Sequence, residues 1–205
     1  MTVGQDCRLC PRLVDFRKDL RQRFPEYHNN PVQGFGCKNA SLLIVGLAPG
    51  IHGANKTGRP FTGDASGNLL FDALYQFGFA SLGVSHDSAD GMKLADCRIT
   101  NAIKCVPPEN RPQPIELNTC NRFLTDELGS ARVILVLGSQ ALCAVALAMG
   151  LRKSAFTFEH GAEYKTPYGS HLLVSYHPSQ RNINTGKLNA AMFFRLFERI
   201  AVLLG

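Results

Sequence analysis

The chain has 205 residues, with 22 Lys and Arg against 16 Asp and Glu, a formal charge of +6 and a pI near 9.0. That length suits one domain with a real core, expected here over residues 1–205, and the basic balance favours an anionic partner. The composition argues against a membrane span, since the longest apolar helical stretch (141–149) is too short, and against a disulfide scaffold, since seven cysteines follow an opening, Met1-Thr-Val-Gly-Gln-Asp, that is no signal peptide.

Residues 12–24 place Leu13, Phe16, Leu20 and Phe24 at helical spacing with basic residues between them. Residues 41–47 read as a buried strand ending in a Pro/Gly loop. A helix over 66–77 follows, with Leu69, Leu70, Ala73, Leu74 and Phe77 on one face. Strand 97–103, helix 115–128, strand 132–137 and a helix running through 148 come next, then strand 171–175 and a closing helix over 188–204. Strands and helices alternate, and the strands are near-continuous apolar runs rather than alternating ones. That pattern predicts an α/β fold, a mostly parallel sheet with helices on both faces. Ligands of such sheets sit beyond the carboxyl ends of the strands, so the loops after Leu47, Ile103, Leu137 and Ser175 should carry the chemistry. No sustained heptad pattern or exposed apolar stripe appears, so a monomer is expected.

The first of these loops holds Gly50-Ile-His-Gly-Ala-Asn-Lys-Thr57, one residue from a phosphate-binding loop. Asn55 stands where a second glycine should let the backbone approach phosphate, and Gly58-Arg-Pro60 breaks the helix that Lys56-Thr57 should open. The third strand ends in Gly138-Ser-Gln, with no aspartate for a metal, so no nucleotide cofactor is expected.

Cys7-x2-Cys10 opens the chain, and Cys105-x14-Cys120 brackets the Pro-rich stretch 106–114. A close pair of thiolates reaches one soft metal centre without strain, and two such pairs suggest a single site tying the N-terminal arm to that loop. Spacing alone admits zinc or iron–sulfur. Cys37, Cys97 and Cys143 lie in or beside apolar runs and read as core.

Taken in order, Cys7/Cys10, Gly46-Leu-Ala-Pro-Gly, Gly58-Arg-Pro-Phe-Thr-Gly-Asp64, Thr100-Asn-Ala-Ile-Lys-Cys105, Cys120 and His177-Pro-Ser with Asn184-Thr-Gly-Lys-Leu188 resemble the uracil-DNA glycosylase superfamily. The likeness is closest to its iron–sulfur type b branch, family 5, because Leu47 stands where the sister family 4 usually carries an acidic residue. The resemblance implies a three-layer α/β/α fold around a four-stranded, mostly parallel sheet, and a [4Fe–4S] cluster on Cys7, Cys10, Cys105 and Cys120 rather than zinc. It also implies a monofunctional glycosylase that excises uracil, and also hypoxanthine and xanthine, from DNA containing deaminated bases. A cytoplasmic, nucleoid-associated location goes with that role.

Such an enzyme must swing the base out of the duplex and stabilise the negative charge left on it. Under the resemblance His177 is the donor to the departing base, Asn101 reads its edge, and Phe61 is the stacking wall. Gly46 and Ala48 line the base site, and Asn182 aids base handling. Asp64 is the remaining carboxylate for orienting water, although it equally reads as a helix N-cap. Arg181 falls where a wedge would enter the base stack, and Lys56, Arg59 and Lys187 are placed to touch phosphate. Each residue has a plainer reading: a strand-end His, a turn Asn, a core Phe, solvated surface charges. A non-catalytic iron–sulfur module that binds nucleic acid or senses redox state would share the charge and the cysteines, but it has no need of His177, Asn101 and Asp64 on separate strand-end loops.

Overall fold

A computed structural model describes residues 2–129 and 131–205. Helix α1 (Pro11–Arg23) opens on a proline, whose missing N–H costs nothing in a first turn, and turns Leu13, Arg17 and Leu20 inward. Strand β1 (Phe35–Gly36) precedes β2 (Leu42–Gly46), and a single turn α2 (Ala54–Thr57) precedes α3 (Ala65–Gln76). Strand β3 (Cys97–Asn101) leads through the Pro-rich segment to α4 (Pro114–Leu128), which starts in a capping box between Gln113 and Glu116. Then come β4 (Val133–Leu137), α5 (Ser139–Ala148), β5 (Glu163–Lys165), β6 (His171–Ser175), α6 (Gln180–Asn184) and α7 (Ala190–Leu204).

The sheet has six strands in the order β1-β3-β2-β4-β6-β5, not the four expected. The four predicted strands form its parallel centre. The two additional strands, β1 and β5, pair antiparallel at the edges. They are only two and three residues long and partly exposed, so neither carries a readable alternation or apolar run.

Side chains leave alternate faces of each central strand, and both faces are covered, which is why β2, β3 and β4 are buried at every residue. Leu42, Ile44, Ile99, Leu135 and Leu173 pack against Leu70, Phe71, Leu74, Phe193 and Phe197 of α3 and α7. Leu43, Val45, Ile134, Val136 and Val174 pack against Leu117, Leu124, Leu142 and Val145 of α4 and α5 and against Leu13 of α1. Each such side chain contributes about 1.5–3 kcal/mol. Cys97 is in this core, but Cys37 is exposed, because the apolar run it follows is only the short edge strand β1. No helix among the described residues is long and apolar enough to cross a membrane.

Register sets the site. Gly46 lies opposite Asn101, and Leu137 opposite Ser175, so the carboxyl ends of all four central strands finish side by side. Since β3 and β4 flank β2 on opposite sides, the chain order reverses across β2, and a crevice opens beyond these ends.

Candidate active site

That crevice is a pocket of about 390 Å³ lined by Leu47, Ala48, Pro49, Gly50, Ala54, Phe61, Asp64, Ser66, Asn101, Asn110, His177 and Ser179. Gly46, expected at the base site, is not itself among the lining residues but lies against two of them, Asn101 and Phe61. A Cβ there would stand 2.5 Å from Asn101 Oδ1 and 2.6 Å from Phe61 Cζ, so only glycine lets these two groups approach each other.

Phe61 is held in the left-handed backbone region at φ 55°, a conformation disfavoured for a bulky residue. The first turn of α3 fixes it there: a Cβ on Gly67 would fall 1.9 Å from the Phe61 carbonyl oxygen. The ring is 6% exposed and stacks on the imidazole of His177, with centroids 5.9 Å apart and planes 29° from parallel.

Asp64 caps α3. Its Oδ1 accepts from the Ser66 N–H at 3.0 Å and the Gly67 N–H at 3.2 Å. Its Oδ2 has no hydrogen-bond partner among the described residues and lies so close to Gly53 that a Cβ there would sit 2.4 Å away. Burial raises the Asp64 carboxyl above its ordinary pKa, and the two backbone hydrogen bonds only partly oppose this.

Asn101 ends β3 and is 3% exposed, yet its amide makes no hydrogen bond with the described residues. The residue lines the pocket, so solvent or a ligand entering there is what its amide can meet. The strand end is braced from behind, where the buried Lys104 Nζ donates to Thr100 Oγ1 at 2.5 Å and to Glu127 Oε2 at 2.6 Å.

His177 follows β6. Burial pushes its pKa down to about 4, so the imidazole is neutral at pH 7. Ser179 then caps α6, accepting from the Asn182 N–H at 3.4 Å. The Asn182 side chain does not line the pocket. It donates to the His177 carbonyl at 2.8 Å and so fixes the loop that presents the imidazole.

The sequence-predicted cations divide into two groups. Arg181, Lys56 and Lys187 are exposed on segments bordering the pocket, with Lys56 Nζ 5.6 Å from the Tyr27 ring centre and Lys187 Nζ 4.6 Å from that of Tyr176. Arg59, expected on phosphate, is instead 6% exposed and turned inward. It donates to Asp90 Oδ1 at 2.7 Å, Ser85 Oγ at 2.8 Å and the Ser88 carbonyl at 3.0 Å, and it lies over the Phe35 ring. Its work is to hold the loop that carries Phe61 and Asp64.

Asn110 was not anticipated. It belongs to the segment between Cys105 and Cys120, where Glu109 and Asn110 both adopt left-handed backbone at φ 56°, and this fold carries Asn110 to the pocket wall. The one available signal was an Asn in a Pro-rich stretch, a residue type that tolerates that region.

Cys7, Cys10, Cys105 and Cys120 line one recess, together with Leu9, Leu13, Val14 and Phe123. Among the described residues no three His, Cys, Asp or Glu side chains are grouped to hold a single metal ion, so the expected centre is not itself displayed. Burial pushes the Cys105 thiol up to about 12 and the Cys10 thiol to about 11, and it raises Cys120. Thiols in such a place become thiolates only against positive charge or a metal.

A sheet with a parallel centre, a polar-edged pocket at its carboxyl ends and a neutral histidine and an amide on the pocket wall make the kind of concave site that enzymes use. The uracil DNA glycosylase superfamily model matches residues 33–201. A type-5 uracil-DNA glycosylase of Thermus thermophilus is 46% identical over 97% of this chain and 94% of its own. Type-5 enzymes of Mycobacterium leprae and Pyrobaculum aerophilum are 42% and 39% identical, over 97% and 96% of this chain and 92% and 88% of theirs. The chain belongs to the uracil-DNA glycosylase superfamily, a family of hydrolases.

Proposed function

We propose that the chain hydrolyses the N-glycosidic bond of uracil in DNA and leaves an abasic site for base-excision repair. The observation that carries this is the convergence of Phe61, Asn101 and His177 on one pocket, two of them with polar groups awaiting a partner. The base leaves the stack and enters against Phe61. The Asn101 amide offers one donor and one acceptor, the complement of the uracil edge. As the C–N bond lengthens, negative charge gathers on the base, and the neutral His177 donates its N–H to it. A donor whose bond strengthens as charge develops is worth on the order of 10²–10³ in rate. Asp64, with Oδ2 free, orients water or steadies the positive sugar, and Asn110 faces the same volume. No amine is found among the described lining residues, which supports hydrolysis without a Schiff base.

Hypoxanthine and xanthine are included in the proposal because Leu47 and Ala48 leave that wall apolar, with no charged group to reject a larger ring. Lys56, Arg181 and Lys187 meet phosphate, and Arg181 fills the gap in the stack.

The four cysteines are proposed to hold a [4Fe–4S] cluster. The fit rests on the buried Arg17 guanidinium, which donates to Cys105 Sγ at 3.6 Å and whose Nε has no partner: a cation in that position suits a negatively charged centre. When bound, the cluster ties the N-terminal arm to the segment that carries Asn110.

A labelled duplex with one U opposite G, treated with the protein and then hot alkali, should break only at the U. An unbroken strand with iron-loaded protein would overturn the reading.

A further inference from the structure

Arg17 is a buried cation that the proposed base-excision chemistry does not use. It sits at 6% exposure on the inward side of α1, with Leu13 and Leu20, and no carboxylate among the described residues pairs with it. Glu116, whose charge is felt at Cys10, is already held by Arg12 at 2.7 and 2.8 Å. Arg17 Nη2 donates to the Cys7 carbonyl at 3.0 Å, Nη1 points at Cys105 Sγ at 3.6 Å, and Nε is left without a partner. One guanidinium therefore bridges the two halves of the cysteine recess. An unpaired buried charge is among the most costly features a fold can keep, unless an opposite charge completes it.

We infer that Arg17 is the counter-cation built into the fold for a negatively charged thiolate cluster on Cys7, Cys10, Cys105 and Cys120. It is a positioning residue that sets the cluster's charge balance and joins its two pairs of ligands. The inference rests on the cluster reading above. Donors reach the recess unevenly: Cys105 Sγ receives Arg17 and Cys120 Sγ receives the Lys104 N–H at 3.4 Å, while the sulfurs of Cys7 and Cys10 receive none from the described residues. Net charge and hydrogen bonds to sulfur tune the potential of an iron–sulfur centre. A nearby cation favours the more negative, reduced state, and so raises the midpoint.

The test uses the full chain purified without oxygen, with iron, zinc and sulfide counted and the midpoint taken from the visible spectrum or from electron paramagnetic resonance. Arg17→Gln should shift the midpoint to more negative potential and bleach several-fold faster with a chelator, and Arg17→Lys should lie nearer to wild type. Equal midpoints and bleaching in wild type and Arg17→Gln, at equal iron content, would overturn the role of Arg17. Wild-type protein without iron would overturn the cluster reading instead. If Arg17→Gln does not accumulate, melting of Arg17→Met decides: it should melt above wild type when metal-free and below it when loaded. A purely packing role would lower both, and that result would overturn the inference.

Discussion

The Phe61 ring lies over the His177 imidazole, 5.9 Å between centroids, so the wall of the pocket and its hydrogen-bond donor support each other. Removing either should disturb both. His177→Ala is expected to lower single-turnover uracil release on the order of 10²–10³-fold, with duplex binding within a few-fold of wild type. Phe61→Ala should also lose rate, and the double variant should lose less than the product of the two. Independent losses that multiply in full would show that the stack is incidental.

The depressed pKa of His177 makes a signed prediction. With its folded pKa near 4 and an unfolded value near 6.5, the unfolded chain binds this proton first. Its contribution to stability is therefore fully present above about pH 6.5 and lost as pH falls towards 4. The melting temperature should fall between pH 7 and 4 in wild type and fall less in His177→Gln. Uracil release should show no gain as pH falls through 6.5. A rise there would mean that an imidazolium is the working form.

Charge in the site loops divides into structure and grip. Arg59 and Asp90 pair at 2.7 Å, 6% and 9% exposed, and breaking such a buried pair costs about 3–5 kcal/mol. Burial pushes Asp90 up, but Arg59 and the N–H groups of Met92 and His86 outweigh it and hold the carboxyl well below its usual range. Arg59→Ala should therefore lower the melting temperature and leave the salt dependence of DNA binding unchanged. Lys56→Ala, Arg181→Ala and Lys187→Ala should each reduce the slope of log K against log salt by about 1, with little effect on melting. A normal slope in all three would place the DNA elsewhere.

The central strands β2, β4 and β6 were legible because each is centred on an apolar run that both layers of helices must cover, and 171–175 was read to the residue. The edge strands were not, because two or three exposed residues take their conformation from a neighbour rather than from their own pattern. Arg59 was misread for a related reason: nothing local to Gly58-Arg-Pro60 announces Asp90, 31 positions away, as its partner. Asn182 was expected at the base, and the structure shows its Nδ2 donating to the His177 carbonyl, a contact that depends on the α6 turn and that no local pattern announces. Asn110 was missed because a positive-φ pair in a Pro-rich segment is set by the fold on either side.

Gly46→Ala tests the closeness of Asn101 and Phe61 directly. The added methyl would lie 2.5 Å from Asn101 Oδ1 and 2.6 Å from Phe61 Cζ, and both must move. The expected result is a loss of uracil release of at least 10²-fold, since a misplacement of about 1 Å costs that much. Excision at the wild-type rate would show that the base does not use this corner.

Asp64 holds two roles on two oxygens, and the roles can be separated. Oδ1 caps α3 while Oδ2 takes no hydrogen bond from the described residues, and Asp64 lines the pocket, so a substitution that keeps the cap and removes the charge isolates the chemistry. Asparagine is as good an N-cap as aspartate, whereas alanine forfeits about 1 kcal/mol. Asp64→Asn should therefore melt close to wild type and Asp64→Ala below it, while both lose rate. Because burial raises the Asp64 pKa, the wild-type rate should fall on the acid side as the carboxylate is protonated, and that limb should vanish in Asp64→Asn. If Asp64→Asn keeps the wild-type rate and its acid limb, the residue is a cap alone and the water is oriented by another group, with Asn110 the next to replace.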